Sequence, residues 1–96
     1  MRVTVGIAMP PNGSAVSSTF QAQGGVSDNG KANMRAYLLN AADARFYGQR
    51  LDGGSNLWAF QFSSVPAAFQ HWVTLIVSGI DGNEIGSAAV DVQVGP

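Results

Sequence analysis

Apolar and polar side chains alternate along most of this chain with the two-residue period of β-strands. Near the amino terminus, Val3, Val5 and Ile7 share one face of such a strand. The same period recurs in further segments, so we predict about seven strands at roughly ten-residue spacing. Their approximate bounds are 2–7, 15–23, 32–40, 45–51, 57–63, 71–80 and 87–94. The segment 32–40 is also rich in Ala, Met and Leu, which suit a helix.

Residues with turn chemistry separate these segments. Pro, Asn and Gly at positions 10–14 interrupt strand pairing, because proline has no N–H to donate and Asn-Gly adopts positive φ readily. We predict that the second strand stops at Gly24 and Gly25. Further turns are expected at 27–30, 52–55 and 81–84, the last as a hairpin. Any helix is expected only at 66–69 or 41–44.

The fifth and sixth predicted strands have the clearest apolar stripes, and these should form the core: Trp58, Phe60, Phe62, Val73, Leu75 and Val77. Short strands with turns between them are typical of two packed sheets. We therefore predict an all-β fold, an immunoglobulin-like two-sheet antiparallel sandwich. A chain of 96 residues has material for one core, so residues 1–96 are predicted to form a single domain.

Three passages in the second half carry a family resemblance. They are Asn-Leu-Trp-Ala-Phe at 56–60, Trp-Val-Thr-Leu-Ile-Val at 72–77 followed by Asp-Gly-Asn at 81–83, and Ala-Val-Asp-Val-Gln-Val at 89–94. Together they resemble bacterial immunoglobulin-like and fibronectin type III-like modules. The cysteine pair and the third-strand tryptophan of antibody domains are missing. The resemblance implies a spacer, adhesive or ligand-binding module of a bacterial or phage surface-associated or secreted protein, without catalysis.

Charge and composition exclude several classes of partner. A net charge of −1 with one lysine, Lys31, provides no basic field for phosphates, so we expect no nucleic-acid binding. The longest apolar run, 73–77, is too short to insert into a bilayer. The chain has no cysteine for disulfides or thiolate metal sites. Its first residues lack signal-peptide features, so we expect either a cytoplasmic chain or a module excised from a longer protein. Because the resemblance implies a surface-associated or secreted protein, we predict an extracellular or cell-surface location.

Groups that support catalysis or bind metals are scarce. His71 is the only histidine, and no nucleophile motif accompanies it, so we predict no enzyme activity and no cofactor. Zinc needs more ligands than His71 supplies. Weak calcium binding is an alternative interpretation of the oxygen-rich positions Asp28, Asn29, Asp52 and 81–84, although ordinary turn chemistry explains these residues better.

A candidate binding face follows from the predicted strand order. In an immunoglobulin-like sandwich the third, fourth, sixth and seventh strands share a sheet, whose outward residues include Tyr37, Tyr47, Trp72 and Ile76. Exposed aromatic area marks interaction surfaces. The alternative is that Trp72 covers the core at a strand edge and Tyr37 packs on a loop, leaving no patch.

Two functions fit such a face. The first is a binding or structural module that makes protein contacts or acts as a spacer. The alternative is a carbohydrate-binding module in which Trp72, Tyr37 and Tyr47 stack on sugar rings. Self-association through edge strands is also possible, and the seventh strand, with only Asp91 charged between 87 and 94, is the expected edge.

Overall fold

A computed structural model describes residues 2–27, 33–51 and 56–96. The predicted turn at 52–55, residues 28–30 of the predicted loop, Lys31 and Ala32 lie outside the described residues. Within them the chain forms nine strands and a short 3₁₀ helix at Ala67–Phe69: β1 (Val5–Met9), β2 (Ser14–Val16), β3 (Phe20–Val26), β4 (Asn33–Leu39), β5 (Arg45–Tyr47), β6 (Gln49–Leu51), β7 (Leu57–Phe62), β8 (Trp72–Asp81) and β9 (Asn83–Val94).

The strands form two sheets packed face to face. The four-stranded sheet has the order β1-β3-β7-β6, and the five-stranded sheet has the order β2-β9-β8-β4-β5. Neighbouring strands pair antiparallel except β2 and β9, which run parallel. The prediction of an all-β, two-sheet sandwich is confirmed. The segment 32–40 is a strand, and the 3₁₀ helix lies within 66–69, where a helical stretch was expected.

The strand count exceeds the predicted seven because two predicted strands each divide between the sheets. The second divides at Ser17–Thr19, where the Ser17 hydroxyl donates to the Thr19 carbonyl at 2.6 Å, so β2 and β3 belong to different sheets. The fourth divides at Gly48, whose N–H donates to the Ala36 carbonyl at 3.0 Å. A Cβ on Gly48 would lie 2.8 Å from the Phe62 ring, which explains the glycine at this crossing.

Gly24 and Gly25 lie inside β3, so the prediction that the strand stops there is wrong. Gly24 pairs with Ile7 of β1 and Trp58 of β7. A Cβ on Gly24 would overlap the Gly6 carbonyl oxygen and lie 2.5 Å from the Trp58 ring. The indole N–H of Trp58 donates to the Gly25 carbonyl at 3.0 Å. The glycines thus allow the close approach of an indole and a neighbouring backbone, rather than a turn.

The core lies between the sheets, as predicted. The six residues of the two apolar stripes are at most 4 % exposed. Phe62 stacks on Phe20 with ring centroids 5.0 Å apart, and Phe46 lies 6.5 Å from Phe62. These rings come from β3, β5 and β7, so both sheets contribute to one apolar cluster.

The prediction that the last strand is a sheet edge is wrong for residues 92–94, which pair with β2. The β8–β9 hairpin forms at 81–84, as predicted, with Gly82 at a positive φ of 74°. The terminal strands of the sheets are β1, β6, β2 and β5. No helix within the described ranges has the length and apolar composition needed to cross a bilayer.

Candidate functional site

The outer face of the five-stranded sheet carries the four residues predicted as a binding face. Tyr37 of β4 pairs with Tyr47 of β5 and with Ile76 of β8, and directly paired residues share one face. Trp72 lies on the same face of β8 but four residues before Ile76, or about 13 Å along the strand. The structure therefore brings Tyr37, Tyr47 and Ile76 together and places Trp72 at a separate end.

Tyr37 is only 6 % exposed, so the expectation that it stacks on a ligand is wrong. The Arg45 guanidinium lies 4.4 Å from the Tyr37 ring centroid, and the Tyr47 ring lies 5.4 Å away. The Arg35 guanidinium lies 5.7 Å from the same centroid. Tyr37 points outward but packs under side chains of its own sheet, rather than on a loop. Tyr47, at 50 % exposed, remains open to solvent.

Trp72 is 54 % exposed and borders a groove of about 510 Å³. The groove lies where the start of β8 and the end of β4 meet the turn before β2. Its polar lining comes from Asn12, Asn40, Thr74 and Asp91. The alternative in which Trp72 merely covers the core does not match an indole that is more than half exposed.

Hydrogen bonds hold the polar groups of the groove in place. The Thr74 hydroxyl donates to Asp91 Oδ1 at 3.1 Å, and the Asp91 N–H donates to Asn12 Oδ1 at 2.8 Å. The Gly13 N–H donates to the Asp91 carbonyl at 2.7 Å. With Asn12 Oδ1 engaged, its Nδ2 is the group left to donate outward, and Asp91 Oδ2 is left to accept. A donor and an acceptor thus stand in fixed positions beside the exposed indole.

A second groove of about 540 Å³ lies on the outer face of the four-stranded sheet. Its lining includes Gln21, Gln23, Leu51, Leu57 and Ala59, and it contains no charged residue among the described positions. Gln21, Gln61 and Gln49 pair across three strands to form a row of amides beside it. Leu57 is 56 % exposed. Among the described positions, the lining of this second groove is uncharged and partly apolar.

The described residues show little that could carry catalysis or hold a metal. His71 is exposed next to Trp72, and its carbonyl accepts the Val94 N–H at 3.0 Å. Among the described residues, no three His, Asp or Glu side chains are grouped to hold a metal ion. Asp28, Asn29 and Asp52 lie outside the described residues. At the 81–84 hairpin, Glu84 accepts from the buried Ser78 hydroxyl at 3.4 Å.

Sequence reasoning missed the polar half of the groove. Strand alternation places Thr74 between Trp72 and Ile76 on the outer face, so the outward position of Thr74 could have been predicted from the sequence. Asp91 lies opposite Thr74 only in the observed β8–β9 register. Asn12 was interpreted as a turn residue, and the contact of its side chain with Asp91 spans 79 positions. No local pattern indicates such a contact.

No family model matches the sequence, and no curated protein matches it either. The fold, by contrast, matches 148 solved chains, a breadth that makes the fold alone a weak guide to function. One of them is an endo-β-1,4-mannanase from Thermotoga petrophila, with a TM-score of 0.71 and 15 % identity. The match covers 98 % of this chain and 20 % of that chain, so this chain spans about a fifth of the mannanase. At this identity the likeness shows the sandwich fold.

Proposed function

We propose that this chain is a non-catalytic carbohydrate-binding module of the immunoglobulin-like or fibronectin type III-like class, and that it binds a sugar ring in the Trp72 groove. The observation that carries the proposal is the exposed Trp72 indole beside a groove with anchored polar groups. Of the two functions considered from the sequence, this geometry favours carbohydrate binding over protein contact or a spacer role. We place the module in an extracellular or cell-surface protein of a bacterium or phage.

The chemistry of the groove suits a sugar. An indole offers a flat apolar surface at low entropic cost, against which the C–H face of a pyranose can pack. Hydroxyl groups at the ring edge need both acceptors and donors, which Asp91 and Asn12 supply in fixed positions. Because these groups are already held by the protein, binding orders few additional side chains.

The fold match supports a glycan as the first ligand class to test. It lies within an endo-β-1,4-mannanase, of which this fold is about a fifth. A sandwich attached to an enzyme of that kind would serve to bind the glycan on which the enzyme acts. For this chain the ligand remains our proposal.

Replacing Trp72 by Ala tests the function. We expect glycan retention in affinity electrophoresis and on a glycan array to be lost, while the urea unfolding midpoint changes little because the indole is half exposed. Leu57→Ala is the matched control, since it removes an equally exposed apolar side chain from the opposite sheet. Equal retention by the wild type and Trp72→Ala contradicts the proposal. So does a loss of about 3 to 5 kcal/mol in stability, which is typical of a core tryptophan.

Protein contact remains a second candidate because of the uncharged groove on the four-stranded sheet. Met9 and Leu57 are each more than half exposed on that side of the molecule. The edge strand β1, with the sequence Val-Gly-Ile-Ala-Met, has no charge to discourage pairing with another chain. Sedimentation of the wild type at increasing concentration tests self-association. A monomer that retains neither glycans nor proteins would leave the spacer role.

A further inference from the structure

One row of side chains links the Trp72 groove to a cationic group across the five-stranded sheet. In the register of the sheet, Asp91 pairs with Thr74, Thr74 pairs with Leu39, and Leu39 pairs with Arg45. All four lie on the outer face with Trp72. Three inter-strand steps separate the ends of the row, which corresponds to about 14 Å. A carboxylate therefore stands at the Trp72 end and a guanidinium at the other.

The guanidinium at the far end is held in a fixed position. Arg45 stacks over the Tyr37 ring at 4.4 Å, and its Nη1 donates to the Tyr47 hydroxyl at 3.3 Å. The hydrogen bond that Arg45 donates to the Tyr47 hydroxyl is the main reason that the pKa of Arg45 is raised, followed by the electrostatic interaction with Tyr37, while Asp43 contributes least. Arg45 is exposed to solvent, and most of its N–H groups have no partner among the described residues, so they can bind a ligand.

A second guanidinium strengthens the positive charge of this end. Arg35 lies 5.7 Å from the same Tyr37 ring, and its Nε is buried without a hydrogen-bond partner among the described residues. Two cations thus lie within about 6 Å of the centroid of one aromatic ring. Guanidinium groups bind carboxylate, sulfate and phosphate oxygens through paired N–H donors.

We propose that the glycan bound by this module is acidic, with a neutral sugar ring on Trp72 and an anionic substituent held by Arg45. This inference rests on the proposed function and names the ligand class for the same face. The orientation follows from the charges, because Asp91 repels an anion at the Trp72 end and Arg45 attracts it at the other. The anionic group is a uronate carboxylate or a sulfate, both of which fit the N–H donors of Arg45.

Two matched pairs of probes separate charge from sugar identity. The first pair is a neutral oligosaccharide that carries one glucuronate substituent and the methyl ester of the same compound, which differ in the carboxylate charge. The second pair is dextran with a low degree of sulfation, which leaves most rings neutral, and unmodified dextran; it tests sulfate. We expect the wild type to bind at least one charged member about tenfold more tightly than its neutral counterpart, the gain typical of one charge-assisted hydrogen bond. Raising the salt concentration should weaken this preference.

Arg45→Gln should remove the preference for the charged member of each pair. Arg50→Gln is the matched control, because it deletes the same charge from an edge strand of the opposite sheet. Tyr47→Phe, which removes only the hydroxyl that orients Arg45, should lower the preference in part. This second variant keeps the test usable if Arg45→Gln unfolds.

The outcomes distinguish the two proposals. Binding that depends on Trp72 but ignores ligand charge overturns the acidic-glycan inference and leaves the proposed function in place. Equal losses in Arg45→Gln and Arg50→Gln also overturn the inference, because they indicate a non-specific charge effect. Retention of none of the four probes, together with no retention on the glycan array, overturns both proposals.

Discussion

Replacing Gly24 by Ala should destabilise the domain strongly, because the added methyl group has no space between the two strands next to β3. The new Cβ would overlap the Gly6 carbonyl oxygen and would lie 2.5 and 2.8 Å from two atoms of the Trp58 indole. The oxygen is a backbone atom of β1, so no side-chain rotation can relieve the overlap. Either β1 must shift away from β3 or the indole must leave its position.

The size of the effect follows from these contacts. Overpacking a core with one or two methyl groups costs about 1–3 kcal/mol when the neighbours adjust. Here a backbone must move as well, and displacement of the indole would break its hydrogen bond to Gly25, worth about 1 kcal/mol. We therefore expect a loss of about 3–4 kcal/mol. For a domain of this size such a loss lowers the melting temperature by at least about 12 °C.

Gly6→Ala provides the control, because a Cβ on Gly6 meets no atom within 4 Å. It lies in the neighbouring strand and should be neutral, or stabilising by up to about 1 kcal/mol, since alanine loses less backbone entropy in a strand. Urea unfolding followed by tryptophan fluorescence and circular dichroism measures both variants. If Gly24→Ala and Gly6→Ala have the same unfolding midpoint, the assignment of Gly24 to a crowded position inside β3 is refuted.

Two further substitutions test how the sheets are joined. Gly48→Ala should cost about 1–3 kcal/mol in urea unfolding, because its Cβ would lie 2.8 Å from the buried Phe62 ring. Phe62→Leu in the same chain should recover part of that cost, and strict additivity of the two changes would contradict the contact. Asn40→Ala should cost about 2 kcal/mol, since Asn40 accepts from the Ala42 and Ala44 N–H groups and donates to the Ala68 carbonyl. Asn40→Asp keeps the two accepted hydrogen bonds, so its melting temperature should lie between those of Asn40→Ala and the wild type. If Asn40→Asp and Asn40→Ala lower the melting temperature equally, the two accepted hydrogen bonds do not stabilise the domain.

The core could be predicted from the sequence because strand alternation is a local property. Trp58, Phe60 and Phe62 share one side of a pleated strand whatever the rest of the chain does, and that side is buried. The outward direction of Tyr47 and Trp72 follows from the same rule. The turn residues at 10–14 and 81–84 were equally informative, since their backbone preferences act within a few positions.

The division of strands between sheets was not predictable in this way. A two-residue period says which side a residue faces, but not which sheet the strand joins. Gly48 marks the position where the fourth predicted strand divides between the sheets, but a glycine in a strand is compatible with a bulge, a turn or a close contact. Gly24 shows the ambiguity, since it was interpreted as a turn and lies in a crowded strand.

By itself, the sequence determined the strand period, the core stripe and the shortage of charged and metal-binding groups, because each is a property of composition or of neighbouring positions. Only the tertiary structure decided which residues of the candidate site are exposed and which polar groups are hydrogen-bonded to each other. It buried Tyr37 beneath Arg45, left Trp72 exposed, and brought Asn12 to Asp91 across 79 positions. The physical reason is that exposure and hydrogen bonding depend on the register between strands distant in the chain, which local alternation does not specify.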